Sequence, residues 1–241
     1  MPDISESRAT PGPAASAQGP VTSLDDPRAL QILSTEHWSL LSARSLAYNE
    51  AFTRGGMFLS FLSTSFVALA LVSQAMPFDR PFLVIAAILL AFDLIIGLTT
   101  YGRIMGANLD DLRAVHGMAR IRHGYTEIAP VVTRYFTTGV SDDLAGIMLT
   151  YGDPPNRGLA TLVYGLTTSG GMIGLIMALV GGVLAGVLGL LVGTSGDLAL
   201  VIGVAGAVAV FLAITLLTTG SVARHQADLT TLFPSDQPDA S

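Results

Sequence analysis

Charge-free stretches long enough to cross a lipid bilayer constrain the fold of this chain more than any other feature. No Asp, Glu, Lys or Arg occurs between Arg54 and Asp79 or between Gly158 and Gly196. A membrane helix needs about 20 mainly apolar residues to cross a hydrocarbon layer of roughly 30 Å. We therefore predict membrane spans at 55–75, 82–101, 166–191 and 198–220.

The composition agrees with this prediction. Only 12% of the residues are charged and 51% are hydrophobic, whereas soluble domains carry about 25% charged residues. The chain has no cysteine, which excludes disulfides and thiolate chemistry. Its net charge of −6 comes without any basic patch, so we do not expect nucleic acid as a partner. No signature of a cofactor site is present, and we expect no cofactor.

We predict an all-α, polytopic membrane protein with two transmembrane helical hairpins, 55–101 and 158–223, and a small helical segment at 102–157 between them. An amphipathic helix is expected at 24–54. Residues 1–23 are rich in Pro, Ala, Ser and Gly and bury too little apolar surface to fold, so we expect them to be disordered. We expect the same of 224–241.

Arginine sets the expected orientation. Eleven of the 12 basic residues lie before span 1, between spans 2 and 3, or after span 4, and Arg80 alone lies in a turn on the other side. Basic residues near spans are retained in the cytoplasm. Both termini and the 102–157 segment should therefore be cytoplasmic, in the inner membrane of a cell.

The 24–54 helix has a clear start, because Asp26 can cap it and Pro27 suits its first position. Its large apolar residues share one face and are Trp38, Leu41, Tyr48 and Phe52. Three arrangements remain open: a helix lying on the bilayer, a helix packing against the 102–157 segment, or one continuing into span 1. Span 2 should extend beyond the membrane to His123, and Asp142 with Asp143 should open a later helix.

Asp93 lies near the middle of span 2, where a charged group costs about 2.5–3.5 kcal/mol and should not face lipid. Pairing residues at equal depth in the first hairpin puts Asp93 level with Thr64, with Ser60 and Ser63 on nearby turns. We expect a neutral carboxyl that bonds to Thr64 or a neighbour. The alternative is a proton or cation pathway through Asp93, Thr64 and Ser60.

Span 3 carries small residues at four-residue spacing, which allow another helix to approach closely. The series is Gly170, Gly174, Ala178, Gly182 and Gly186. Gly203 and Ala207 give span 4 a matching surface. Contacts within the chain and contacts between subunits of a homo-oligomer fit this pattern equally.

His116, His123 and Glu127 share a helical face and are the only metal-ligand candidates that we find. Arg120 lies between them and would repel a cation, so we expect a solvated, salt-bridged face instead of a metal site. No catalytic motif is present, and we expect the protein not to be an enzyme.

Residues "EHWSLLSARSLAYNEAFTRGGMFLSFLS" and "RHGYTEIAPVVTRYFTTGVSDDLAGIMLTYG" resemble those of an uncharacterised group of bacterial integral membrane proteins. The resemblance implies membrane residence and no particular activity. In layout alone, the chain is also similar to two-span bacterial effector domains with a helical cytoplasmic extension. The function that we expect is an oligomerising membrane component that forms a narrow channel. The alternatives are a small transporter coupled through Asp93, and a membrane anchor or scaffold that recruits an unknown cytoplasmic protein.

Overall fold

The computed structural model describes residues 20–152, 165, 166, 168–228 and 230–235. Every regular element in these ranges is helical, which confirms the all-α prediction. The elements are α1 (Pro27–Ala75), α2 (Arg80–Ile128), a 3-10 helix (Pro130–Tyr135), α3 (Leu144–Tyr151), α4 (Ser169–Leu191) and α5 (Gly196–Asp228). The expected disorder of 1–23 lies outside the described residues as far as residue 19, and so do the first residues of the second hairpin.

Helices α1, α2, α4 and α5 are long and apolar enough to cross a membrane. The chain is therefore a multi-pass membrane protein, with four candidate spans among the residues that the structure describes. Helices α2 and α4 are the inner pair of the bundle, because α2 contacts α1 and α4, and α4 also contacts α5. Side chains of α1, α2 and α4 meet where Phe58 and Met177 both approach Gly97.

Helices α1 and α2 each run for 49 residues without a break. The Asp26 carboxylate accepts a hydrogen bond from the Arg28 amide at 2.9 Å, so α1 starts where the Asp26–Pro27 pair predicts. The boundary that we expect at residue 54 is not a structural break, because α1 continues through Gly55 and Gly56 into span 1. Among the three arrangements left open above, the structure combines two, because α1 continues into span 1 and its first half also packs against residues 102–128 of α2.

Residues 27–54 of α1 and 102–128 of α2 form an antiparallel pair beyond the spans, which we call the stalk. At 1.5 Å per residue, the stalk extends about 40 Å from the membrane. Two glycines of α2 make room for leucines of α1: a Cβ at Gly117 would lie 3.0 Å from Leu40, and one at Gly124 would lie 3.2 Å from Leu33. Gly124 therefore serves stalk contacts, and α2 continues past it to Ile128.

Residues 130–151, which contain the 3-10 helix and α3, fold back along the stalk, and we call them the cap. Asp143 begins α3 by accepting a hydrogen bond from the Gly146 amide at 2.8 Å. The expectation that 224–241 is disordered is wrong for the described part of that range. Helix α5 continues to Asp228, and residues 230–235, the C-terminal segment, lie against the cap.

Candidate functional site

Asp93 is only 1% exposed and lies at the contact between α1 and α2. The Ser65 hydroxyl donates a hydrogen bond to Asp93 Oδ1 at 2.9 Å. The other oxygen, Oδ2, is buried and has no hydrogen-bond partner among the residues that the structure describes. Buried polar groups are normally paired, so a half-satisfied carboxyl at membrane depth marks a candidate site.

Thr64 and Ser60 do not join this site. Both are exposed, and their hydroxyls donate to carbonyls of their own helix, those of Ser60 and Gly56. One residue along a helix is a rotation of about 100°, so Ser65 faces α2 while Thr64 faces outward. The hydrogen bond that we expect between Asp93 and Thr64 or a neighbouring residue is thus made by Ser65.

The small residues of α4 are occupied by contacts within the chain. A Cβ at Gly182 would lie 2.7 Å from both Ala207 Cβ and the Gly203 carbonyl oxygen. Gly174 faces Tyr101 and Ile214, at 3.5 and 3.4 Å. Gly186 lies near the Ala199 carbonyl, Gly170 lies near α2, and Ala178 is buried. Span 3 is therefore an internal contact surface, towards α2 at one end and α5 at the other.

The three metal candidates have different partners. His123 Nε2 lies 3.3 Å from Glu127 Oε1, and its ring stacks on Phe233 at a centroid distance of 4.0 Å. His116 is buried and faces Asp142 at 3.7 Å. No group of three His, Asp or Glu residues that could hold a metal occurs in the described part of the chain. The face is instead a place where the cap and the C-terminal segment dock.

A buried ionic cluster joins the stalk to α3, and none of the sequence patterns described above indicates it. Asp111 is 2% exposed and pairs with the Arg44 guanidinium. The hydroxyls of Tyr48 and Tyr151 donate to Asp111 Oδ2 at 2.9 and 2.7 Å. Burial and the neighbouring Asp111 carboxylate raise the pKa of Tyr151 well above its ordinary value. Extending the equal-depth pairing of the first hairpin beyond the membrane would have placed Arg44 close to Asp111.

Asp142 is a second buried carboxylate, with a fully enclosed side chain. It accepts hydrogen bonds from Arg120 Nε at 2.8 Å and from the amides of Leu232 and Phe233 at 2.9 and 2.7 Å. Burial disfavours the ionised form, but the two amides and Arg120 outweigh it, so the pKa of Asp142 is lowered. Asp142 therefore links α2, the cap and the C-terminal segment, and neighbouring Asp143 adds a second link by accepting a hydrogen bond from the Ser235 amide at 2.8 Å.

A buried arginine completes the junction between stalk and cap. Arg122 is 8% exposed and donates to the Gly139 carbonyl at 2.9 Å. Burial lowers its pKa, and the positive charge of Arg44 adds to that effect. Asp111, Asp142 and Arg122 together make the stalk and cap a single, internally bonded body.

Comparisons with protein-family models, with curated proteins and with solved structures found no match to this chain.

Proposed function

We propose that the protein is a non-enzymatic membrane anchor that holds a protein partner on its stalk and cap. The carrying observation is that α1 and α2 pass from the membrane into the stalk as unbroken helices of 49 residues. Buried carboxylates then fasten the cap to that stalk. Such a body presents a fixed surface at a set distance from the bilayer, which is what recruitment of a partner requires.

Apolar side chains on the cap supply a surface for that partner. Val131 and Tyr135 of the 3-10 helix are 60% and 69% exposed, and Leu144 and Leu149 of α3 are 54% and 64% exposed. These four exposed side chains supply apolar area of the kind that a protein partner covers when it binds. The distribution of arginine supports a cytoplasmic stalk in a cell inner membrane.

Site-specific photo-crosslinking in the native host tests this proposal. A benzophenone side chain at Tyr135 or Leu149 should give one discrete adduct with another protein. The same group at Arg113, which is exposed on the stalk and pairs with neighbouring Asp110, is the control and should give none. Equal adducts at all three positions, or none at the cap, would contradict the proposal. Purified protein in liposomes should carry no ion flux above that of protein-free vesicles.

A second candidate is a small proton- or cation-coupled transporter, and the unpaired Oδ2 of Asp93 favours it. Flux in liposomes should then be abolished by Asp93→Asn. Ser65→Ala is the matched control, since it removes the hydrogen bond and keeps the acid. Passive flux that survives Asp93→Asn would point instead to the narrow channel of a homo-oligomer, and absence of flux would reject both transport functions.

The proposed orientation can be checked because the chain has no cysteine. A single cysteine at Phe78, which is 75% exposed in the turn between α1 and α2, should react with an impermeant thiol reagent added outside the cell. A cysteine at Asp110 on the stalk should react only after the membrane is opened. The reverse pattern would invert the topology.

A further inference from the structure

One face of α1 is largely exposed along both the stalk and the membrane, with Leu59 and Ser73 half-buried at its edge. No charged residue lies on this face between Trp38 and Ser73, and the charged residues of the same stretch lie elsewhere around the helix. Two rows with seven-residue spacing form the face. The first row is Trp38, Ser45, Phe52, Leu59, Phe66 and Ser73, and the second is Ser42, Asn49, Gly56, Ser63 and Ala70.

The two halves of this face point independently to a helical partner. In the stalk, Trp38 and Phe52 are each 65% exposed, although such side chains are strongly favoured to leave water. In the membrane, the second row has only Gly56, Ser63 and Ala70, which let another helix come close. A Cβ built at Gly56 meets nothing within 4 Å, so this space is open in the single chain.

Residues seven apart drift by only about 20° around a helix, so two helices that keep such rows in contact wrap around each other with a left-handed twist. The bilayer inserts every copy in the same direction and at the same depth, so α1 helices of two copies are parallel and identical residues meet. Asn49 then faces Asn49 of the second copy, and an amide can both donate to and accept from its twin. A single asparagine in such a row selects register and a two-stranded state.

Charge and area also fit a second copy. Glu50 pairs with Arg54 and Arg103, and Arg44 pairs with Asp111, all within one chain. No like charges therefore meet across the contact. The face is about 55 Å long and roughly 10 Å wide, which gives on the order of 1,100 Å² for both copies together. A specific interface needs about 1,000 Å².

We propose that two copies of the chain form a parallel dimer through this face of α1, with identical residues in register. The dimer does not depend on the proposed anchor function, and it leaves the cap surface free. In this dimer the two copies meet through α1 and not through the glycines of α4, which contact α2 and α5 within the chain.

Cysteine crosslinking in native membranes tests the register. With no native cysteine in the chain, Ser42→Cys and Gly56→Cys should form disulfide-linked dimers on mild oxidation. Ala43→Cys and Met57→Cys are matched controls, since both positions are exposed one residue along, about 100° around the helix. They should crosslink at least about tenfold less. Val204→Cys on exposed α5 should stay monomeric. Equal crosslinking at the controls would overturn the proposal.

Gly56→Leu separates dimerisation from folding, because its added side chain meets open space in the single chain. Gly220→Leu is the control, since Gly220 also has nothing within 4 Å of a Cβ. Labelled protein diluted in lipid bilayers should bleach in two steps for the native chain and for Gly220→Leu. Gly56→Leu should dissociate about tenfold more readily and bleach mainly in one step. One-step bleaching of the native chain would mean that lipid or another protein covers the face, and would refute the dimer.

Discussion

Replacing Asp142 by asparagine tests whether one buried carboxylate holds the C-terminal segment on the cap. Asp142 accepts from the amides of Leu232 and Phe233 and from Arg120, and its side chain is fully enclosed. Asparagine keeps one acceptor oxygen but turns an NH₂ group toward these donors and removes the charge. A hydrogen bond to a charged group contributes about 1.5–3 kcal/mol, so the segment should detach about 10-fold to 100-fold more often.

Hydrogen exchange measured by mass spectrometry in detergent follows this opening directly. The amides of Leu232 and Phe233 should exchange about 10-fold to 100-fold faster in Asp142→Asn. The amide of Arg28 at the start of α1, which the Asp26 carboxylate holds at 2.9 Å, should keep its native rate and serves as the internal control. Asp110→Asn is the control variant, because Asp110 is exposed and bonds to neighbouring Arg113. Unchanged exchange at 232 and 233, or an equal rise at the Arg28 amide, would contradict this expectation.

Three further outcomes follow from the structure. Gly182→Ala should lower the thermal midpoint in detergent by the equivalent of about 1–3 kcal/mol, because its Cβ would meet α5 at 2.7 Å, and Gly220→Ala in open space should not. Arg44→Met should destabilise the stalk by about 3–5 kcal/mol, because Asp111 stays buried without its cation. Hydrogen exchange of stalk amides as slow as in the native chain would contradict this prediction. Burial lowers the pKa of His116 from its ordinary value, and the positive charge of Arg120 adds to that effect. As pH falls, the unfolded chain therefore binds a proton at His116 before the folded chain does, so the stability of the stalk should fall below about pH 6.5. Melting measured as a function of pH should show a smaller loss in His116→Gln.

The membrane architecture could be predicted because its signals are local. Runs without charge identify the four spans, and the Asp26–Pro27 pair identifies the first residue of α1. Each signal depends on a few adjacent residues and on the cost of placing charge in lipid. Tertiary contacts were not needed to read them.

The buried polar contacts could not be predicted in the same way. Whether Ser65 or Thr64 meets Asp93 depends on a rotation of about 100° between neighbouring residues, which depth matching alone does not resolve. Asp142 looks like a residue that opens a helix, and Asp143 in fact does so. The partners of Asp142 are amides 90 and 91 residues further along the chain. No periodicity connects positions so far apart.

The distance in sequence between Asp142 and its amide partners has a consequence for biogenesis. Ribosomes make Asp142 first, and both helices of the second hairpin lie between it and residues 232 and 233 along the chain. The contact can form only if α5 returns the chain to the side of the membrane on which Asp142 lies. A copy whose last helix inserts backwards would leave the C-terminal segment across the bilayer and the carboxylate exposed to solvent. Docking of the C-terminal segment on the cap thereby depends on correct insertion of the final helix.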